Sequence, residues 1–187
     1  MAIVFLLLLH SVSVTGSTLY ALSRFTDTLF SYDAATGSNA TIGKSLLPGY
    51  NPVGAGLSTI DVENGLAYAL ICNRTWPAAQ LVTISTKDGS VVCKIDVPIL
   101  GVWHEIVGYS SSLHFAGADK PENSHIVFTG VQMRDHTRAA YSVNADYCKS
   151  GAKISLMSEG WFAEDRAVLD AATTYDYKNQ VFYTVSD

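Results

Sequence analysis

Charge is scarce in this sequence of 187 residues: Asp, Glu, Lys and Arg make up 16% of it, against about 25% in an average soluble domain. The 12 Lys and Arg form no cluster and face 17 Asp and Glu, for a net charge of −5. A nucleic-acid surface needs concentrated positive charge, so nucleic acid is not expected as a partner. Cysteine is sparse too. Cys72, Cys93 and Cys148 are spaced too widely for a zinc pattern, so no metal site is expected on them. They allow one disulfide with one thiol left over, and the sequence does not choose the pair. Long apolar runs are missing, since none reaches the ~20 residues that span a bilayer, and no transmembrane segment is expected. What the chain does have is apolar and aromatic surface: 48% hydrophobic residues, with 10 Tyr, 7 Phe and 3 Trp. That composition excludes disorder and supplies a real core.

The first sixteen residues read as a secretory signal. Ile3 to Leu9 form an apolar stretch, and Val14 and Gly16 suit cleavage before Ser17. A secreted, extracellular product is therefore expected. Asn39-Ala40-Thr41 and Asn73-Arg74-Thr75 are N-glycosylation sequons in polar, turn-like stretches, so Asn39 and Asn73 are the expected glycan sites.

Beyond the signal, apolar alternation is broken every several residues by Gly, Asn, Asp, Ser or Pro, the pattern of many short strands. The alternation from Ser58 to Leu70 stops at Asn64-Gly65, which predicts a two-residue hairpin turn. The same layout returns 115 residues later, with Thr59, Asp61, Asn64 and Tyr68 matched by Thr174, Asp176, Asn179 and Tyr183. Tyr20 and Phe128 are read as the corresponding anchor aromatics of two further units. Each unit continues into a strand, a glycine-closed polar turn and another strand. Repeats of this length with four strands each predict a β-propeller, because a lone four-stranded sheet cannot bury both faces. A β-sandwich is the alternative.

Tyr20-Ala21-Leu22, then Leu29 to Asp33-Ala34-Ala35-Thr36-Gly37 and Ile42-Gly43, resembles a blade of the YVTN and quinoprotein-like propeller superfamily, with its strand ending in a D-x-x-T-G turn. The second unit departs from that form, having Ser85-Thr86-Lys87-Asp88-Gly89. The resemblance implies a propeller fold and assigns no function. Blades are expected over residues 17–50, 54–100 and 104–158, with an incomplete one over 166–187. The first is expected to hold three strands, the next two four each and the last two. Such a count does not close a ring. The reading is therefore the N-terminal part of a longer propeller, with open blade edges available for self-association.

Catalytic signatures are thin. No Gly-rich phosphate loop, G-x-S-x-G elbow or H-E-x-x-H occurs, and His104-Glu105 lacks the second histidine. Asp119, Glu122 and His125 read as a solvated hairpin loop. Asp135-His136, between Arg134 and Arg138, reads as a charged loop tip. Glu164 and Asp165, adjacent on a strand, would face opposite ways. Trp103, Trp161 and Phe162 read as filling between blades, and Trp76 as the best exposed binding aromatic. Strand starts at Gly54 to Gly56, Val107 to Tyr109 and Val168 to Asp170 are mostly apolar, whereas an axial active site would gather Asp, Glu or His there. The expectation is a binding scaffold for a protein or carbohydrate ligand, with no cofactor. The alternative is a secreted propeller hydrolase, lyase or quinone-dependent oxidoreductase.

Overall fold

The computed structural model describes residues 13–15, 18–23, 28–43, 50–52, 58–73, 79–97, 104–105, 113–116, 124–132, 137–161, 173–176, 179 and 181–184. The protein is all-β, with antiparallel sheets and one short helix among these residues. Sheet A runs β1 (Ser13–Thr15), β2 (Thr18–Leu22), β3 (Leu29–Asp33) and β4 (Asn39–Ile42). β1 lies inside the stretch read as a signal and pairs with β2, so sheet A has four strands where three were expected.

Sheet B opens with a divided first strand. β5 (Tyr50–Pro52) and β6 (Ser58–Asp61) both pair with β7 (Leu66–Asn73), which β8 (Ala79–Ser85) and β9 (Val91–Asp96) follow. Sheet C repeats this plan: β10 (His104–Glu105) and β11 (Leu113–Ala116) share β12 (His125–Gln132), and β13 (Thr137–Asn144) and β14 (Ser155–Trp161) come next. β15 (Thr173–Asp176) and β16 (Val181–Thr184) form a separate hairpin.

The β3–β4 and β8–β9 turns share one backbone plan in spite of their different sequences. Gly37 N–H donates to Asp33 O at 2.8 Å and Gly89 N–H to Ser85 O at 2.9 Å, with φ of +71° and +69°. Asp33 Oδ1 accepts from Ala35 and Thr36, and in the second turn Asp88 Oδ1 accepts from Ser90. The anchoring carboxylate has moved along the turn while the left-handed glycine has stayed. In sheet C the equivalent connection is instead a single helical turn, α1 (Tyr147–Ser150), closed by Gly151 at φ +69°.

Two sequence readings change in detail. The β6–β7 connection is a four-residue turn over Val62 to Gly65 rather than a two-residue one. Asn64 serves there as a side-chain partner of Asp61, and Gly65 carries the positive φ of 63°. The anchor in the third unit is also shifted. Ser85 pairs with Leu66 and Asn144 with His125, so counting from these pairs sets Val127 opposite Tyr68 in the repeat. Phe128 is one residue on and therefore faces the other way, because strand side chains alternate.

Sheet B is buried on both faces. Toward sheet A it presents Ile60, Ala67, Ala69, Ile71, Val82 and Ile84, against Leu22 and Leu29. Toward sheet C it presents Tyr68, Leu70 and Leu81, against Leu113, Ile126, Phe128, Tyr141, Val143 and Tyr147. Strict alternation along β7 explains the division. A bulge where β8 meets β9, between Thr83 and Ile84, lets Val91 join the first layer while Cys93 and Ile95 join the second. Phe128 stacks on Tyr141 with centroids 5.2 Å apart, and Tyr68 on Phe115 at 5.8 Å.

Candidate functional site

The two layers flanking sheet B are filled differently, and the candidate site follows from that difference. On the sheet C side large rings close the gap. On the sheet A side β7 offers only the methyl groups of Ala67 and Ala69 in its central stretch. The space left is a pocket of about 140 Å³, lined by Tyr20, Leu22 and Leu29 from sheet A and by Ser58, Ile60 and Ala69 among others from sheet B. Ser58 pairs with Ala69, so its side chain shares the face that looks toward sheet A. Apolar walls with the hydroxyls of Tyr20 and Ser58 suit a neutral ligand with an apolar body and a hydrogen-bonding group.

A polar strut closes the opposite layer. Thr83 Oγ1 donates to Tyr147 Oη at 2.6 Å, and Tyr147 Oη lies 3.4 Å from Leu81 O, to which it donates. Burial pushes the Tyr147 phenol up to about 12, and the Thr83 bond only partly opposes this. Burial also raises Tyr68 well above the ordinary tyrosine range, with the charge of Asp61 next and Tyr147 adding. Phe115 N–H donates to Thr59 Oγ1 at 3.2 Å, tying β11 to β6. Cys93 on β9 and Cys148 on α1 form a disulfide with their Cα atoms 5.8 Å apart, which links sheet B to the turn of sheet C.

The remaining sequence candidates are scattered. Asn39 is exposed at the start of β4, and His125 is exposed at the start of β12. Cys72 and Asn73 end β7, His104 and Glu105 form β10, Arg138 lies in β13 and Trp161 ends β14; the side chains of all six lie outside the described residues. Trp76, Trp103, Asp119, Glu122, Arg134, Asp135, His136, Phe162, Glu164 and Asp165 lie outside them too, as do the strand starts at 54–56, 107–109 and 168–170. Among the described residues, no group of three His, Cys, Asp or Glu side chains is placed to hold a metal ion. None of their helices is long and apolar enough to cross a membrane. The pocket was missed in the sequence, although its signal was present: Ala67 and Ala69 alternate with Tyr68 and Leu70, small on one face and large on the other.

No protein-family model matches the chain, and no curated protein matches it. Among solved structures it is similar to the major allergen Mala s 1 of Malassezia sympodialis, with a TM-score of 0.59 and 14% identity over 95% of this chain and 57% of that one. Hydrazine synthase of Kuenenia stuttgartiensis gives a TM-score of 0.45 and 13% identity, over 92% of this chain and 60% of that one. The chain thus spans less than two thirds of the length of either. At 14% identity the likeness to the allergen bears on the fold alone.

Proposed function

We propose that this chain is a secreted β-propeller acting as a binding scaffold, and that the cleft between sheets A and B receives a small, neutral, largely apolar ligand. Support for the propeller comes from the shared plan of sheets B and C, from their face-to-face stacking and from β11 lying against both β6 and β15. First strands of successive units that neighbour one another fit blades arranged about an axis.

The pocket itself carries the binding assignment. Its volume, about 140 Å³, is close to the roughly 150 Å³ of an aliphatic cavity that holds benzene. Apart from the Tyr20 phenol its lining side chains carry no titratable group, since the Tyr68 ring packs in the opposite layer toward sheet C. The walls therefore offer shape and hydroxyl contacts rather than acid–base groups.

Saturation-transfer NMR with phenol as the probe tests the assignment. Transfer is expected from the wild-type protein and is lost in Ser58→Phe, whose ring fills the pocket. Near-UV circular dichroism checks that the variant is folded. Equal transfer to phenol from a folded Ser58→Phe protein would rule the pocket out.

A further inference from the structure

Asn39 and Tyr32 are directly opposed on β4 and β3, so their side chains share one face of sheet A. Both are exposed, Tyr32 to 42%. Thr41, the hydroxyl residue of the sequon, lies two positions along the strand, on that same face, and is exposed as well. β4 is the last strand of sheet A. The repeat sharpens the contrast. Asp33 and Ser85 begin equivalent turns, which sets Tyr32 against Ile84 and Asn39 against Val91. In sheet B that pair is apolar and packs beneath sheet A, with Ile84 only 1% exposed. Sheet A carries an aromatic and a carboxamide where its neighbour carries a pair suited to a sheet-on-sheet contact.

We propose that Asn39 bears an N-linked glycan whose first sugar lies on the exposed ring of Tyr32. The reading rests on passage through the secretory pathway. Nδ2 of Asn39 attacks the anomeric carbon of an oligosaccharide linked to a lipid diphosphate. The N–C bond forms, the C–O bond to the diphosphate breaks, the amide proton is lost to base, and the lipid diphosphate leaves. An N-acetylhexosamine ring then presents its C–H face to the tyrosine, a ring with two torsions that is ordered at low entropic cost.

The experiment uses two full-length forms expressed in a eukaryotic secretory host: one with its own N-terminus and one with a heterologous signal before Ser17. Peptide mass mapping after peptide N-glycosidase treatment reads Asn39 as Asp where a glycan was attached. Melting temperature is measured before and after that treatment, for the wild type and for Tyr32→Ala. The proposal expects occupancy at Asn39, a fall of about 2–4 °C in Tm on deglycosylation, and a clearly smaller fall in Tyr32→Ala. A protein exported by the heterologous signal with Asn39 bare overturns the site. Occupancy with equal Tm losses in both proteins overturns the sugar–tyrosine contact. If only the heterologous form is exported and glycosylated, the site is supported and the secretory reading of the native N-terminus fails.

Discussion

Asn64 donates both its backbone and side-chain amides to Asp61, at 3.2 Å to Oδ1 and 2.6 Å to Oδ2. Asn179 and Asp176 repeat the arrangement at 3.2 and 2.7 Å. Thr59 pairs with Tyr68 and Thr174 with Tyr183 in the same register, so these hairpins are two copies of one device. The carboxylate replaces water for two amides that the turn leaves without strand partners. Asn64→Ala should cost about 1 kcal/mol. Asp61 is 5% exposed, and Asp61→Ala should cost more, roughly 2 kcal/mol, because it strands both amides. Urea denaturation of the two variants checks the order.

Gly43 and Gly89 meet backbone to backbone between sheets A and B. A Cβ on Gly43 would stand 2.8 Å from Gly89 Cα, and one on Gly89 would stand 2.9 Å from Gly43 Cα, with φ positive at both. Gly151 has the same φ but open space around it. Gly151→Ala should therefore cost about 1 kcal/mol for the left-handed backbone alone. Gly89→Ala should cost about 3 kcal/mol or more, since the sheets must separate as well. Equal costs in thermal unfolding would contradict this contact.

The Cys93–Cys148 bond closes a 55-residue separation between β9 and α1. Its loss in Cys93→Ser/Cys148→Ser should lower stability by about 2–4 kcal/mol, largely through the freed unfolded chain. Guanidinium midpoints of the oxidised and double-mutant proteins measure the difference. A negligible change would place the two residues apart in solution.

High pH should unfold the protein through its buried phenols. Tyr147 is raised to about 12 and Tyr68 is raised further by burial, while an unfolded tyrosine ionises near about 10. Below the unfolded value both states hold the proton, and stability is flat with pH. Above it the unfolded state releases protons first, so stability falls as pH rises toward the folded values. Tyr147→Phe should lose some stability at neutral pH, because Thr83 loses its acceptor, yet decline less steeply between about pH 10 and 12. An identical alkaline slope in that variant would remove Tyr147 from the account.

Much of the strand pattern was legible because β-structure writes itself into alternation and turn residues. Asp61 with Asn64, and Asp33 with Gly37, announce turns through local chemistry that does not depend on distant chain. The four-residue length of the Asn64 turn was not legible, since Asn-Gly also builds a two-residue one and only the register of β6 on β7 decides. In sequence Phe128 reads as the counterpart of Tyr68 in the next unit because both are aromatic residues following a turn. Face, not identity, settles equivalence, and face depends on a register set by β13. The disulfide pair was open for a similar reason: Cys93 and Cys148 meet through the stacking of two sheets, which no spacing encodes. The pocket arises from a mismatch of side-chain volumes across an interface, legible only once sheet A is known to cover Ala67 and Ala69.

The arrangement of the sheets decides between a propeller and a sandwich. A crystal structure of the chain, grown with phenol, tests this directly. It should have sheet B stacked between sheets A and C, with β6, β11 and β15 innermost about a common axis and phenol against Tyr20 and Ser58. Two sheets closed face to face as a sandwich, with β6 and β11 on outer edges and no space at Ala67 and Ala69, would contradict it.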